Sequence, residues 1–262
     1  MRLRDKVYER RPFFNRMLHI LLGVDGVLRT CEEGMQLVTK KGHGDYVTNL
    51  DLSVEKYLRK ELTHLLPDAG FLGEESGQEG NAEYMWVVDP IDGTTNMLYG
   101  YDFAVSVALQ CAGETVLGMV YVPDKKVLYY ARKGVGAYKK DLVFDTESKL
   151  HVYPSDGNEG IILFGMPYDR SRTGEILGVV EKLYAVASDM KRIGPASLDM
   201  CRVAEGKAKG YVELNLQSWD IAAGKLILEE SGCTVQKVGD LYICAETAYA
   251  EVLKGLLYET GE

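Results

Sequence analysis

The chain has 262 residues, 46% of them hydrophobic, which supports a substantial core and suits a single α/β fold. Its 30 basic and 39 acidic residues give a net charge of −9, which argues against nucleic acid as a general partner. The five widely spaced cysteines indicate reduced thiols in a cytoplasmic protein, and the four scattered histidines argue against a zinc site.

The first half of the chain opens with helical patterns. An amphipathic helix is predicted over residues 12–31 rather than a signal peptide, because Asp5, Glu9 and Asp25 interrupt the basic and apolar pattern. A second helix is expected to end before Pro67. No apolar run approaches ~18 residues, so no membrane association is expected.

Strand-like runs then follow one another, at residues 86–88, 104–110, 116–122 and 127–131. Short turns between the last three predict an antiparallel meander. The second half alternates strands at 161–164, 189–193, 211–214 and 234–238 with helices at 173–187, 196–205, 220–231 and 247–258. These patterns predict layers of helix and sheet in one domain over residues 1–262, with two halves that meet near residues 150–160.

The strand at residues 86–88 ends in the run Asp89-Pro90-Ile91-Asp92-Gly93-Thr94-Thr95-Asn96. The proline restricts the backbone on both sides, so the two aspartates can converge on one point. Two close carboxylates repel each other unless a cation lies between them, and oxygen ligands suit Mg²⁺. The following glycine and threonines offer backbone N–H groups to a phosphate. An ordinary turn is the alternative interpretation, because Asp-Pro and Asp-Gly pairs often form turns.

Further acids lie at similar places elsewhere in the sequence. Glu74 follows a short apolar pair, Asp45 and Asp51 precede a helix, and Asp220 opens another helix. Each of them alone has a structural explanation as a turn residue or a helix cap. A metal site therefore depends on their coming together in the fold.

Three ordered motifs resemble those of the inositol monophosphatase family of Mg²⁺-dependent, lithium-sensitive phosphatases. They are Gly73-Glu74-Glu75-Ser76, the run from Asp89 to Asn96, and Trp219-Asp220-Ile221-Ala222-Ala223-Gly224. The resemblance implies a five-layer αβαβα sandwich of the α/β class, a homodimer, and hydrolysis of a small phosphorylated polyol or sugar by metal-activated water. It also implies two to three Mg²⁺ ions in each site.

The resemblance further implies roles for individual residues. The metal ligands would be Glu74, Asp89, the carbonyl of Ile91, Asp92 and Asp220, with Asp89 bridging two ions and Glu74 reaching a third through water. Thr94, paired with Asp45, would orient the attacking water. The groups that contact the substrate would be Asp92, Gly93, Thr94, Thr95, Gly194, Ala196, Glu213 and Asp220.

Departures from the family pattern leave the substrate open. Tyr99 and Pro195 stand where the family has other residues, and either Lys40 or Lys41 would approach the site. The alternatives are phosphatases of the same superfamily that act on histidinol phosphate, fructose-1,6-bisphosphate or 3′-phosphoadenosine nucleotides. A non-catalytic, metal-binding regulatory protein is the alternative from another functional class.

Overall fold

The structure is a computed structural model that describes residues 8, 10–32, 37–42, 45–153 and 160–258. For residues 31–32, 37–42 and 45 the description covers the backbone alone. The helices within these ranges are α1 (Arg11–Glu32), α2 (Asn49–Leu65), α3 (Thr94–Leu98), α4 (Thr173–Tyr184), α5 (Ala196–Ala204), α6 (Ser218–Glu230) and α7 (Thr247–Tyr258).

The strands of the described residues form three sheets. A two-stranded sheet contains β1 (Leu37–Gly42) and β2 (Asp45–Thr48). The largest sheet contains β3 (Gly70–Gly73), β4 (Gly77–Glu79), β5 (Tyr84–Asp92), β6 (Ala104–Cys111), β7 (Glu114–Val122), β8 (Val127–Arg132), β9 (Gly136–Asp141) and β10 (Thr146–Leu150). The third contains β11 (Ile161–Phe164), β12 (Asp189–Lys191), β13 (Gly210–Leu214), β14 (Cys233–Val238) and β15 (Leu241–Glu246).

The helices and the two larger sheets stack into five layers. Helices α1 and α2 cover one face of the eight-stranded sheet, and α5 and α6 fill the space between the two sheets. Helices α4 and α7 cover the outer face of the five-stranded sheet. A separate cluster of buried apolar side chains lies at each of these three junctions. The predicted αβαβα sandwich is therefore confirmed.

Strand order in the large sheet is β10-β9-β8-β7-β6-β5-β3-β4, and its pairs from β5 to β10 are antiparallel. This confirms the meander predicted over residues 104–131 and extends it by two strands. The sequence patterns missed β15, which pairs with β14 and β13. Its apolar run leads directly into α7, so no turn residue marks where the strand ends and the helix begins.

None of the helices in the described ranges is long and apolar enough to cross a lipid bilayer.

Candidate active site

Four acidic side chains converge where the parallel strands β3 and β5 end. Glu74 directly follows β3, and its amide donates to the Val88 carbonyl at 3.2 Å, so the chain stays beside β5 past the end of the strand. Asp89 and Asp92 lie on β5 itself, and Asp220 lies in the first turn of α6. The charges of the other three acids all act on Asp89. Residues far apart in the sequence thus form one acidic centre.

A β-bulge in β5 turns both aspartates toward this centre. Asp89 pairs with Ser106 and Asp92 pairs with Ala104, so the β5 side of the ladder contains one extra residue. In a regular strand, residues three apart face opposite sides of the sheet, and a bulge restores a common side. Pro90 lies within the irregular stretch, where its missing N–H removes no regular ladder hydrogen bond. The Asp-Pro-Ile-Asp sequence therefore produces two convergent carboxylates.

Asp89 is the deepest of these acids. It is 2% exposed, and its Oδ1 atom has no hydrogen-bond partner among the described residues. Burial raises the pKa of the Asp89 carboxyl well above its ordinary value, and the neighbouring acids, Glu74 first among them, raise it further. A buried carboxylate oxygen without a partner is unfavourable, so this position calls for a proton or a cation.

Asp92 and Asp220 are each held by a backbone amide. The amide of Ser197 donates to Asp92 Oδ2 at 2.8 Å, and the amide of Gln217 donates to Asp220 Oδ2 at 2.6 Å. Burial raises the pKa of Asp92 to about 6, although hydrogen bonds from Ser197 lower it. Burial also raises the pKa of Asp220 well above its ordinary value, and the charge of Asp92 adds to this. Asp220 thus caps α6, as expected, and also belongs to the acidic centre.

The Thr94 hydroxyl donates to Asp51 Oδ1 at 2.7 Å and lies 3.2 Å from the Ile91 carbonyl oxygen. The other Asp51 oxygen accepts from the amide and the hydroxyl of Thr48, which closes the capping box of α2. The sequence prediction paired Thr94 with Asp45, whose side chain lies outside the described part of the structure. The structure shows Asp51 as a partner of Thr94, and the role of Asp45 stays a prediction. The first turn of α2 brings Asp51 to α3, and its role as a cap concealed this second contact.

Gly93 makes the turn from β5 into α3. Its φ of 90° lies in the left-handed region, and a Cβ atom at this position would lie 3.0 Å from the Pro195 Cβ. Both the conformation and the close approach favour glycine. The first turn of α3, which contains Thr94 and Thr95, therefore begins directly beside the segment that precedes α5.

A cavity of about 590 Å³ opens beside the acidic centre. Seven of the residues predicted to contact substrate line it: Asp92, Gly93, Thr95, Gly194, Ala196, Glu213 and Asp220. Thr94 is not part of the lining, and neither are Glu74, Asp89 and Ile91. Side chains that the sequence prediction missed also line the cavity, namely Tyr101, Tyr168, Arg170, Arg192 and Asp199. They come from α5 and from separate segments outside the long helices and strands, and the sequence prediction gave none of them a role in the site.

Glu213, on β13, lines the cavity. The Tyr211 hydroxyl donates to its carboxylate, and a Cβ atom on Gly165 would overlap that carboxylate. Burial raises the pKa of Glu213 to about 7; the hydrogen bond from Tyr211 opposes the shift, and the charge of Asp92 adds to it. Glu213 therefore changes its protonation state near neutral pH.

Tyr99 and Pro195, the two departures from the family pattern, differ in where they lie relative to the cavity. Tyr99 is 71% exposed and does not line the cavity, whereas Tyr101, two residues later, does. Tyr101 rather than Tyr99 therefore forms part of the cavity wall. Pro195 does line the cavity and precedes α5. The side chains of the two lysines at residues 40 and 41 lie outside the described part of the structure.

Over residues 23–252 the sequence matches the model of the inositol monophosphatase family. The chain belongs to the inositol monophosphatase family. An inositol-1-monophosphatase of Mesorhizobium japonicum is 39% identical over 199 residues, which cover 74% of this chain and 73% of that protein.

Two solved structures of this family illustrate the likeness of the fold. The extragenic suppressor protein suhB of Bartonella henselae superposes with a TM-score of 0.85 at 32% identity, covering 95% of this chain and 99% of that one. An IMPase/NADP phosphatase complexed with Mg²⁺ and phosphate superposes with a TM-score of 0.81 at 26% identity, covering 96% of this chain and 97% of that one. The predicted family and its fold are confirmed, and the chain belongs among phosphatases.

The acidic centre of this family member has the chemistry of a site for a hard cation. All its donors are oxygen atoms, and the Oδ1 atom of Asp89, which has no partner among the described residues, is a buried acceptor of the kind that such a cation binds. Within the described ranges these acids do not close into a compact cluster of three or more ligands. The fit to a metal therefore rests on the unpartnered oxygen and on the type of donor.

Proposed function

We propose that this family member is a Mg²⁺-dependent phosphomonoesterase that hydrolyses inositol monophosphate or a similar small sugar or polyol phosphate. The observation that carries the proposal is the Asp89 carboxylate, which is buried near four other acids and lies next to a cavity of substrate size. Cavities of about 300–1,000 Å³ are typical of small-molecule sites, and 590 Å³ falls within that range.

The proposed ligands of a first Mg²⁺ are Glu74, Asp89 and the carbonyl oxygen of Ile91. Those of a second are Asp89, Asp92 and Asp220, with Asp89 shared. When bound, two such ions would stabilise negative charge on a phosphoryl group and make a bound water more acidic. Both effects would speed the hydrolysis of a phosphate monoester, which is one of the slowest uncatalysed reactions.

Thr94 and Asp51 are proposed to orient the attacking water. Because the Thr94 hydroxyl proton is directed to Asp51 Oδ1, the lone pairs of Thr94 Oγ1 can accept a hydrogen bond from water. Asp51 is itself fixed by two hydrogen bonds from Thr48, so the pair is preorganised. A water held in this way can attack phosphorus directly, and no serine or cysteine nucleophile is required.

The alcohol part of the substrate is proposed to contact Glu213, Gly194 and Ala196, which all line the cavity. With a pKa of about 7, Glu213 can accept a hydrogen bond from a substrate hydroxyl when ionised, and can also donate one when protonated. The backbone of Gly93 and Thr95, which also line the cavity, is proposed to bind the phosphate.

Phosphate release from a panel of esters tests this function. The panel contains inositol 1-phosphate, histidinol phosphate, fructose-1,6-bisphosphate, 3′-phosphoadenosine 5′-phosphate and several sugar phosphates, each with Mg²⁺, with EDTA and with added Li⁺. We expect Mg²⁺-dependent release, inhibition by Li⁺, and a preference for an inositol or sugar monophosphate. A preference for another ester would retain the chemistry and change the substrate.

A matched pair of variants connects the activity to the acidic centre. Asp89→Asn should lower the rate of phosphate release at least about 100-fold and reduce the rise in melting temperature that Mg²⁺ gives to the unmodified protein. Asp68→Asn, an exposed acid after α2, should change neither quantity. Mg²⁺ binding without release of phosphate from any ester would refute the enzymatic proposal and favour the regulatory alternative.

A further inference from the structure

A partly buried arginine joins two segments that flank the cavity. Arg202, on α5, is 14% exposed, and its guanidinium group donates to the Gly194 carbonyl at 2.9 Å and to Asp102 Oδ2 at 3.0 Å. It also donates to Asp199, whose side chain is 1% exposed. We call this set of four, Arg202, Asp199, Asp102 and Gly194, the Arg202 clamp.

The clamp holds the Gly194 peptide groups from both sides. The Gly194 amide donates to Asp199 Oδ2 at 3.0 Å, while its carbonyl accepts from Arg202. The φ of Gly194 is 66°, so this backbone conformation is one that few residues other than glycine adopt easily. Hydrogen bonds of charged side chains to both groups of one residue fix its orientation more strongly than neutral contacts do.

The segment held in this way carries part of the proposed active site. Gly194, Pro195 and Ala196 line the cavity, and the next amide, that of Ser197, donates to Asp92 Oδ2 at 2.8 Å. A shift of the segment would therefore move the alcohol-facing wall and one proposed metal ligand together. The hydrogen bond between Thr94 and Asp51 joins α3 to α2 and involves no residue of this segment.

A second contact supports the same connection. The Asn96 side-chain amide donates to the Asp102 carbonyl at 2.9 Å and to the Ile193 carbonyl at 3.1 Å. Asn96 belongs to α3, in the motif that contains the proposed metal ligands. Two side chains from different helices thus tie the loop before β6 to the loop before α5.

We propose that Arg202 is a positioning residue, which sets substrate affinity and Mg²⁺ affinity by fixing the wall segment at residues 193–197. The kinetic part of this inference rests on the proposed function, whereas its structural part does not. Groups that orient metal ligands typically change metal affinity or activity by about 10–100-fold when they are removed. The loss should appear in KM and in the Mg²⁺ concentration that gives half-maximal activity.

The test compares three variants. Arg202→Lys keeps the charge but cannot reach all three partners with a planar group, and Asp102→Asn weakens the link from the other side. The control is Lys125→Met, because the Lys125 side chain is 55% exposed and forms an ion pair with the same Asp102 but not with Gly194. All three are measured for amide hydrogen exchange over residues 193–198, for Mg²⁺ binding by calorimetry and, with the preferred ester, for KM and kcat.

The expected result separates the variants. In Arg202→Lys and Asp102→Asn, exchange over residues 193–198 should quicken, and KM and half-maximal Mg²⁺ should rise about tenfold, with kcat within about threefold. Lys125→Met should resemble the unmodified protein in every measurement. Unchanged exchange in folded Arg202→Lys would overturn the inference, as would a fall in kcat with KM and half-maximal Mg²⁺ unchanged.

The measurements distinguish failure of the positioning role from failure of the proposed function. If the unmodified protein hydrolyses no ester, the proposed function fails, while hydrogen exchange still reports whether Arg202 holds the segment. If the ester is hydrolysed and exchange is the same in Arg202→Lys, the function stands and the positioning role is refuted.

Discussion

Replacing Glu213 with glutamine should change the free energy of unfolding in a pH-dependent way. Relative to the unmodified protein, the variant should be more stable in alkaline solution than it is in acidic solution. Burial raises the pKa of this carboxyl from 4.5 to about 7, so the folded protein keeps a proton that the unfolded chain has already released. The resulting stabilisation is fully present below about pH 4.5 and is lost as the pH rises through about 7. Glutamine does not ionise, so it makes no contribution to stability that changes with pH.

The size of the effect follows from the two pKa values. One pH unit of difference corresponds to about 1.4 kcal/mol, so the full contribution is at most about 3 kcal/mol. About 2 kcal/mol of it falls between pH 5.5 and pH 8.5, and solvent at the cavity wall reduces this value further. The change should therefore lie between about 1 and 2 kcal/mol.

The assay is urea unfolding at pH 5.5 and pH 8.5 in EDTA, for the unmodified protein and for Glu213→Gln. EDTA is included because a bound cation would reduce the contribution of neighbouring Asp92, whose charge helps raise this pKa. Glu83→Gln, at an exposed position, serves as the control and should show the same pH dependence as the unmodified chain. If the stability difference between Glu213→Gln and the unmodified protein is the same at both pH values, the burial argument is wrong.

Further predictions concern chemistry and packing. Thr94→Ala removes the hydroxyl that lies 2.7 Å from Asp51 and should lower kcat by about 10²–10⁴, whereas Thr94→Ser should retain most of the rate. Equal losses of kcat in the two variants, measured by steady-state kinetics, would contradict the water-orienting role. Gly118→Ala should lower the free energy of unfolding by about 1–3 kcal/mol, because its Cβ atom would lie 2.8 Å from the Ala223 carbonyl oxygen. Gly26→Ala, in the open middle of α1, should raise that free energy by about 0.5–1 kcal/mol, and denaturant unfolding of both variants checks the contrast.

Much of the fold could be predicted because its elements carry local signals. Periodic apolar residues indicated α2, and alternating strands and short turns indicated the meander from β6 to β8. The strand β15 was missed because nothing in its sequence separates it from α7. Residues 241–246 form a strand because they pair with β13 and β14, and such long-range pairing cannot be predicted from a short stretch of sequence.

The site was predicted unevenly for a related reason. The acids of the Asp-Pro-Ile-Asp run follow from a contiguous motif, whereas Asp51 was assigned to helix capping alone. That reading was correct but incomplete, because one of its oxygens caps α2 and the other meets Thr94. The sequence indicates which neighbouring backbone groups a side chain can hydrogen-bond. The contact of Asp51 with Thr94, 43 residues away, depends instead on how α2 packs.

The sequence by itself determined the family, the layered fold and the acid-rich loop, because these depend on contiguous motifs and on periodic apolar patterns. Only the tertiary structure decided the partner of Thr94, the position of Tyr101 rather than Tyr99 at the cavity, and the clamp formed by Arg202. These features join side chains separated by as many as 100 residues. Their energies come from burial and from the distance between charges, which arise only after the layers have packed.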